Sequence, residues 1–415
     1  MKCGLIGENL KSSFSKSIHE MFDVYSYDLI EIDSGELAKF VKETDLDGFN
    51  VTMPYKREIM DYIEVDDIAR EIGAVNTVYK KEGKFYGTNT DVTGFDALLD
   101  LADIHIDNSC VLVLGTGGAS NAIKYVCKHK DCEVIVASRM PNGECVGYDN
   151  LPLDVDYIVN CTPIDAYKSG DKPLIDLGQF VDVKAVIDIN YNPCRTQLIM
   201  DATKLGIKAV SGLMMLVAQA TKAAEYFSGN NYSEYNEDIY TTVKRTKFNI
   251  VLIGMPGAGK SHVAQRIAQL TNREYIDIDR EIECKFDKSV ADIFDEYGEE
   301  GFRDMETFLI EKAIKLEGCV IATGGGAVLS DYNVDLLKST GVLIEIDRAT
   351  DCIAKEGRPL LEGKSDEEII SFLNNRKARY EEVRDFVVFN KEGNDFIHQT
   401  AVESILSSET FFKNI

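Results

Sequence analysis

Cations are scarce in this 415-residue sequence: 45 Lys and Arg stand against 70 Asp and Glu, a net charge of −25. That balance argues against nucleic acid or an anionic membrane as partner. Any anionic substrate must instead be met by a few local cations. Long apolar runs are absent too. No stretch of about 18 apolar residues occurs, so no transmembrane helix is expected. The opening MKCGLIGENLKSS lacks the apolar core of a signal peptide. The 10 cysteines are scattered, with no C-x-x-C pair and no zinc spacing. They read as buried reduced thiols of a cytoplasmic protein. His19, His105, His129, His262 and His398 form no H-E-x-x-H pattern, which points to structural roles rather than ligation. Proline is sparse at 8 residues, yet 31 Gly, 45% hydrophobic and 28% charged residues are ordinary for a globular chain. The length suggests two or three domains.

What the sequence does carry is glycine in two phosphate-binding patterns. Gly254-Met-Pro-Gly-Ala-Gly-Lys-Ser261 fits G-x-x-x-x-G-K-[ST]. The apolar run NIVLIG before it reads as a buried parallel strand, and HVAQRIAQL after it has helical spacing. Strand, loop and helix in that order aim backbone N–H groups and a helix N-terminus at one point, where a phosphate is favoured. Gly257, Ala258 and Gly259 would cradle the phosphates. Lys260 would reach the β- and γ-phosphates, and the Ser261 hydroxyl would ligate Mg²⁺. The second pattern follows the strand Cys110–Leu114. Gly115, Gly117, Gly118 and Ala119 approximate a dinucleotide turn, with Ser120 at the third small position. Arg139 ends the next strand, EVIVASR, where a cation suits the 2′-phosphate of NADP. Short apolar runs alternate with amphipathic ones throughout, an α/β signature. Residues 228–247 are polar and turn-rich without apolar periodicity, and read as a domain linker.

Three polar clusters precede the dinucleotide turn: Ser12, Ser13 and Ser15; then Asn50, Thr52 and Lys56; then Asn76, Thr90 and Asp91. Hydroxyls, amides and one Lys/Asp pair beside apolar runs could line a site for a polyhydroxylated small molecule. The same residue types also serve caps and turns. By composition both readings stand.

Residues 1 to roughly 228 resemble the shikimate dehydrogenase family. The segments that carry the resemblance are GLIGENLKSSFSKSIH, GFNVTMPYK, GAVNTV, GTNTDVTGF, GTGGAS, NCTP, DINYNPCRT and SGLMMLVAQA. The resemblance implies an α/β substrate domain over 1–95, a Rossmann NADP domain over 96–212, and a helix near 213–228 returning to the first domain. It implies that Ser13, Ser15, Asn50, Thr52, Asn76, Thr90, Asp91, Tyr191 and Gln219 contact substrate, with Lys56 and Asp91 as the catalytic pair. Gly115, Gly117, Gly118 and Ala119 would line the cofactor pyrophosphate. Ser138 and Arg139 would meet the 2′-phosphate, and Gly212 and Met215 the nicotinamide.

Residues 248–415 resemble shikimate kinase through GMPGAGKS, YIDIDREIE, IFDEYGEEGFRDME, ATGGGAV, GRPLL and NNRKARYEEV. This implies a P-loop domain with a five-stranded parallel sheet between helices. Asp277 and Asp279, two apart, are expected on one strand and one face. The resemblance makes Asp277 a Mg²⁺ residue and Asp279 the base or orienter of the acceptor hydroxyl. Arg303 and Arg376 would bind the acceptor carboxylate, with Glu306 holding the arginines. Gly324, Gly325 and Gly326 would let backbone approach substrate, and Arg358 would close over the phosphates from a lid.

The expected function is therefore bifunctional: NADPH-dependent reduction of 3-dehydroshikimate, then ATP- and Mg²⁺-dependent phosphorylation of shikimate. Two alternatives remain at this point. One is an NAD-using quinate/shikimate dehydrogenase fused to the kinase. The other is a silent ligand-binding module in the first half. The expected partners are small molecules, and the sequence leaves the oligomeric state open.

Overall fold

A computed structural model describes residues 1–163, 173–348, 365–390 and 397–407. The chain divides into two units, Met1–Val243 and Lys244–Ile415. Among the described residues, no helix is long and apolar enough to cross a membrane.

The first unit holds two sheets. The first comprises β1 (Lys2–Gly7), β2 (Ser26–Glu31), β3 (Gly48–Val51), β4 (Glu64–Val65), β5 (Thr77–Lys81) and β6 (Lys84–Thr88), in the order β2-β1-β3-β5-β6-β4. β1 pairs in parallel with β2 and β3, whereas β5 runs antiparallel to β3 and β6. β1 and β3 are short apolar runs buried along nearly their whole length, as central strands covered on both faces must be. The second sheet is wholly parallel. It contains β7 (Cys110–Leu114), β8 (Glu133–Ala137), β9 (Tyr157–Asn160), β10 (Ala185–Asp188) and β11 (Lys208–Ser211), in the order β11-β10-β9-β7-β8. Its strand order reverses between β7 and β9, so the loops after those strands flank a crevice at their carboxyl ends.

The helices Asp91–Leu101 and Leu213–Ser228 pack closely. At Gly94 a Cβ would sit 2.5 Å from the Met215 carbonyl oxygen. Helix Leu213–Ser228 buries residues on most of its faces, which a helix does only when it runs through a core. The strands of the first sheet lie within residues 2–88, and helix Leu213–Ser228 packs against the helix that follows them, Asp91–Leu101.

An aromatic cluster closes the β1–β2 side. His19 is fully buried, bonds the Tyr25 hydroxyl through Nδ1 at 2.7 Å, and stacks on Tyr27 at 3.9 Å. Burial pushes its pKa from 6.5 down to about 3. The folded state therefore refuses a proton that the unfolded chain accepts below pH 6.5. Stability from this group is complete above pH 6.5 and falls as pH drops toward 3, by about 1.4 kcal/mol per pH unit. Thermal unfolding at stepped pH should show this slope in the wild type. His19→Phe should unfold at lower temperature at pH 7 yet show a shallower acid slope. Equal slopes would mean that His19 is already neutral in the unfolded chain.

Residues 228–247 differ from the expected aperiodic linker. Helix Leu213–Ser228 ends at Gly229, a short 3-10 turn covers Ser233–Tyr235, and a 12-residue helix spans Asn236–Lys247. Ile239 and Val243, one turn apart, are both buried. Two apolar residues at that spacing are a weak sequence signal, and only tertiary burial makes the stripe count. Glu237 and Asp238 begin the helix while Lys244, Arg245 and Lys247 end it, matching its dipole.

The second unit contains one parallel sheet of β12 (Asn249–Ile253), β13 (Tyr275–Asp277), β14 (Val320–Ala322), β15 (Gly341–Asp347) and β16 (Phe386–Phe389). The order is β13-β14-β12-β15-β16. All five residues of β12 are buried. Its carboxyl end delivers the glycine loop into helix Lys260–Thr271.

Candidate active sites

The polar clusters of the first unit converge. Lys56 follows β3, and Asp91 opens helix Asp91–Leu101 after the Thr90 cap. The Lys56 ammonium donates to Asp91 Oδ2 at 2.6 Å, with both side chains largely buried. Asn76 Nδ2 donates to Asp91 Oδ1 at 2.8 Å and lies 3.1 Å from Thr90 Oγ1. Asn76 Oδ1 accepts from the Thr90 backbone N–H at 2.8 Å. Gln219, from the returning helix, places Oε1 3.5 Å from Asn76 and from Thr90, the outer limit of a hydrogen bond. Ser13 donates to Ser15 at 3.1 Å. Tyr191 lies in the loop after β10, its ring 5.1 Å from that of Phe14, the residue between the two serines. Thr52 is half-buried where β3 ends, its N–H donating to the Ile6 carbonyl.

Asn50 is bonded on both sides of its amide. Its Oδ1 accepts from the Tyr27 phenol at 2.7 Å. Its Nδ2 lies 3.0 Å from Thr77 Oγ1 and 3.3 Å from the Asn76 carbonyl. Both amide protons are thus directed at the protein.

The dinucleotide turn faces this cluster. Gly117 caps helix Gly118–His129 with extended backbone. A Cβ at Gly118 would sit 3.3 Å from Lys56 Cδ, so the lysine stem runs beside the helix start. Ala119 continues that first turn. Ser138 and Arg139 follow β8, and Arg139 is exposed. Gly212 caps the returning helix and donates to the Asn190 carbonyl, with buried Met215 one turn on. Gly117 and Gly118 open a helix N-terminus after a parallel strand, a fit for an anionic phosphate.

Sequence reasoning missed several supports. Asn89 caps the Asp91 N–H at 3.0 Å and donates to the Ala74 carbonyl at 2.8 Å. Its place in GTNTDVTGF, two residues before a helical acid, was the available signal. Buried Asp188 accepts from Thr196 and Asn190 and so shapes the loop that carries Tyr191. Burial raises its pKa while those bonds oppose the rise.

In the second unit Gly259 has φ +98°, a left-handed turn open to glycine at little cost. It follows Gly257 and Ala258 and hands the chain to Lys260 and Ser261 at the helix start. Lys260 Nζ donates to the carbonyls of Gly254 at 2.9 Å and Met255 at 3.0 Å, within the loop it would serve.

Asp279 is not on the strand with Asp277. β13 ends at Asp277, which caps helix Ile278–Phe286 by accepting from the Arg280 N–H, and Asp279 lies in that helix's first turn. The cap and the favourable helix dipole end the strand there, overriding the period-2 expectation. Asp277 also accepts from the Tyr275 hydroxyl at 2.8 Å, and Ser261 opens the helix that the glycine loop enters. One carboxylate and one hydroxyl are hard oxygen donors that fit Mg²⁺, which takes its remaining ligands from phosphates and water.

Arg303 and Glu306 lie three apart on helix Val290–Ala313 and pair at 2.8 Å. A Cβ at Gly324 would come within 2.6 Å of both Asp279 Oδ1 and Glu306 Oε1. Two buried carboxyls therefore meet over the first glycine of the GGG loop. Burial pushes Asp279 up to about 6 against the pull of Lys260 and Arg303. Burial pushes Glu306 up to about 7 against Arg303. Arg376 donates to the Gly325 carbonyl at 3.3 Å, an acceptor shared with the Tyr380 hydroxyl. At Gly326 a Cβ would collide with the Arg303 guanidinium. The sequence-expected lid residue Arg358 lies outside the described residues.

The first unit aligns with a shikimate dehydrogenase (NADP(+)) of Clostridium beijerinckii at 34% identity, covering 54% of this chain and 90% of the relative. The chain belongs to the shikimate dehydrogenase family. Residues 5–78 match the shikimate dehydrogenase substrate binding domain, and residues 256–408 match the shikimate kinase family. Among solved structures, a chorismate mutase/shikimate 5-dehydrogenase fusion from Clostridium acetobutylicum is similar at 32% identity and TM-score 0.55, over 59% of this chain and 97% of that one. A shikimate 5-dehydrogenase from Thermus thermophilus, in complex with NADP(H) and shikimate, matches at 26% identity and TM-score 0.52, over 58% and 99%. The dehydrogenase family thus accounts for the first unit, while the kinase match lies within the second.

Proposed function

We propose that the first unit reduces 3-dehydroshikimate to shikimate with NADPH, and that the second phosphorylates shikimate at its 3-hydroxyl with ATP. The carrying observation is the Lys56–Asp91 pair, buried at 2.6 Å and set beside the start of the dinucleotide helix. NADPH, when bound, supplies the hydride. Negative charge then develops on the carbonyl oxygen, and Lys56 can stabilise it and deliver a proton. Asp91 orients the ammonium and can bond the neighbouring hydroxyl. Ser13, Ser15, Thr52, Asn76, Thr90, Tyr191 and Gln219 would hold the ring hydroxyls and carboxylate.

In the second unit Lys260 and the glycine loop would hold the triphosphate, with Mg²⁺ at Ser261 and Asp277. Mg²⁺ held there would supply positive charge against the phosphates. Asp279 would position the acceptor hydroxyl, which matters more than base strength in a metaphosphate-like transfer. Arg303 and Arg376 would fix the carboxylate, and Arg358 would act at the phosphates. Shikimate formed at the first site is then the acceptor at the second. The free cysteines among the described residues support a reducing, cytoplasmic setting.

Incubation of the full chain with 3-dehydroshikimate, NADPH, ATP and Mg²⁺ should yield shikimate 3-phosphate by mass spectrometry. Shikimate accumulating unphosphorylated would remove the kinase reading. Phosphorylation of added shikimate without NADPH oxidation would favour a silent first unit.

Cofactor choice rests on Arg139, an exposed cation at the end of β8. Arg139→Ala should weaken NADPH far more than NADH, because only NADPH has a 2′-phosphate. The charge-assisted contact is worth roughly 1.5–3 kcal/mol. Steady-state KM values for both cofactors decide this, and equal losses would make Arg139 structural.

A further inference from the structure

The reductase site is the end of a hydrogen-bond chain that starts at the edge of the first sheet. Tyr27, on edge strand β2, is 2% exposed. Asn50 Oδ1 can only accept, so the Tyr27 phenol must donate to it, at 2.7 Å. Asn50 Nδ2 can only donate, and gives one proton to Thr77 Oγ1 at 3.0 Å. The one Thr77 proton has Asn76 Oδ1 at 3.0 Å and Thr90 Oγ1 at 3.1 Å in reach, and the amide oxygen, the stronger acceptor and the nearer, takes it. Asn76 Nδ2 donates to Asp91 Oδ1 at 2.8 Å. The carboxylate, an acceptor only, ends the chain and holds Lys56 on its other oxygen. Four bonds thus point one way, from the phenol to the carboxylate. Tyr27, Asn50, Thr77, Asn76 and Asp91 are all at most 6% exposed, so water cannot readily replace a missing donor.

We propose that Tyr27 is a positioning residue for the reductase, acting through Asn50 to fix the amide of Asn76 and hence the Asp91 carboxylate. The proposal rests on the dehydrogenase reading given above. Its physical basis is polarity. The Asn76 carbonyl orients the Asn50 amide and the Thr90 N–H orients that of Asn76, and the phenol satisfies the one remaining acceptor, so the buried network is complete only with it. In a low-dielectric interior such bonds reinforce one another. Losing the phenolic proton leaves Asn50 Oδ1 as a buried acceptor without a partner, and the hold on the amide loosens. His19, stacked flat on Tyr27 at 3.9 Å, holds the ring in place whether or not the hydroxyl is there. Tyr27→Phe therefore removes the hydroxyl with the ring held.

The test compares Tyr27→Phe with Tyr25→Phe in the full chain. Tyr25 belongs to the same aromatic cluster but gives its hydroxyl contact to His19, outside the chain. Tyr27→Phe should lower kcat/KM for 3-dehydroshikimate about tenfold and leave the NADPH KM and kinase activity unchanged. Tyr25→Phe should lower the unfolding temperature without this loss. In an Asn50→Ala background, Tyr27→Phe should have no further effect on kcat/KM. The side-chain amide signals of Asn50 and Asn76 in ¹H–¹⁵N spectra should be protected from exchange in the wild type and exposed in Tyr27→Phe. Unchanged kcat/KM, or the same tenfold loss in the Asn50→Ala background, would overturn the proposal. If the wild type does not oxidise NADPH with 3-dehydroshikimate, the dehydrogenase reading fails by itself. The amide signals then decide, and protection that persists in Tyr27→Phe refutes the positioning role.

Discussion

Lys56→Ala is expected to lower NADPH oxidation by 3-dehydroshikimate by ~10²–10⁴-fold, the usual worth of a positioned acid–base group. The ammonium is held 2.6 Å from Asp91. In the cluster around Asp91, no other described cation contacts that carboxylate. Removing Lys56 also leaves a largely buried carboxylate with Asn76 as its side-chain donor, so the first unit should unfold at lower temperature. Two measurements separate these effects. Stopped turnover with a preserved folding transition places Lys56 in the chemistry, and kinase activity should persist because that site lies in the other unit. Near wild-type reduction would remove Lys56 from the mechanism.

Lys260→Ala should abolish phosphorylation, by at least about 10²–10³-fold, while sparing reduction. A preorganised cation aimed at developing charge is worth that much in a water-poor site. Lys260 is 8% exposed and is held by two carbonyls of its own loop, so little of its placement must change when phosphate replaces them. The variant should also lose nucleotide binding by calorimetry. Surviving kinase activity would sink the phosphate-loop assignment, and a dead dehydrogenase would show that the units depend on one another.

Much of the molecule was legible before folding because it rests on local rules. A glycine loop between an apolar strand and a periodic helix has few meanings, and both instances were readable. So was the α/β class, whereas the helix returning near residue 213 was implied only by the family resemblance. The separation of Asp277 from Asp279 was not readable. The pattern D-x-D suggests one strand face, but a carboxylate that can cap a helix ends the strand instead. The helix Asn236–Lys247 escaped notice because its apolar stripe is two residues wide and counts only when something covers it.

By itself, then, the sequence determined the fold class, the two phosphate loops and the residue types available for chemistry, since these depend on neighbours close along the chain. Only the tertiary structure decided which polar groups meet. Lys56 and Asp91 are 35 residues apart, Tyr27 and Asn50 are 23 apart, and Asn76 and Gln219 are 143 apart. Their hydrogen bonds come from sheet order and from one helix crossing back, and no local pattern encodes them. The same holds for Asn50, whose amide protons the fold brings to Thr77 and to the Asn76 carbonyl. Burial is the reason: a polar group removed from water must find its partner inside the protein, wherever in the chain that partner lies.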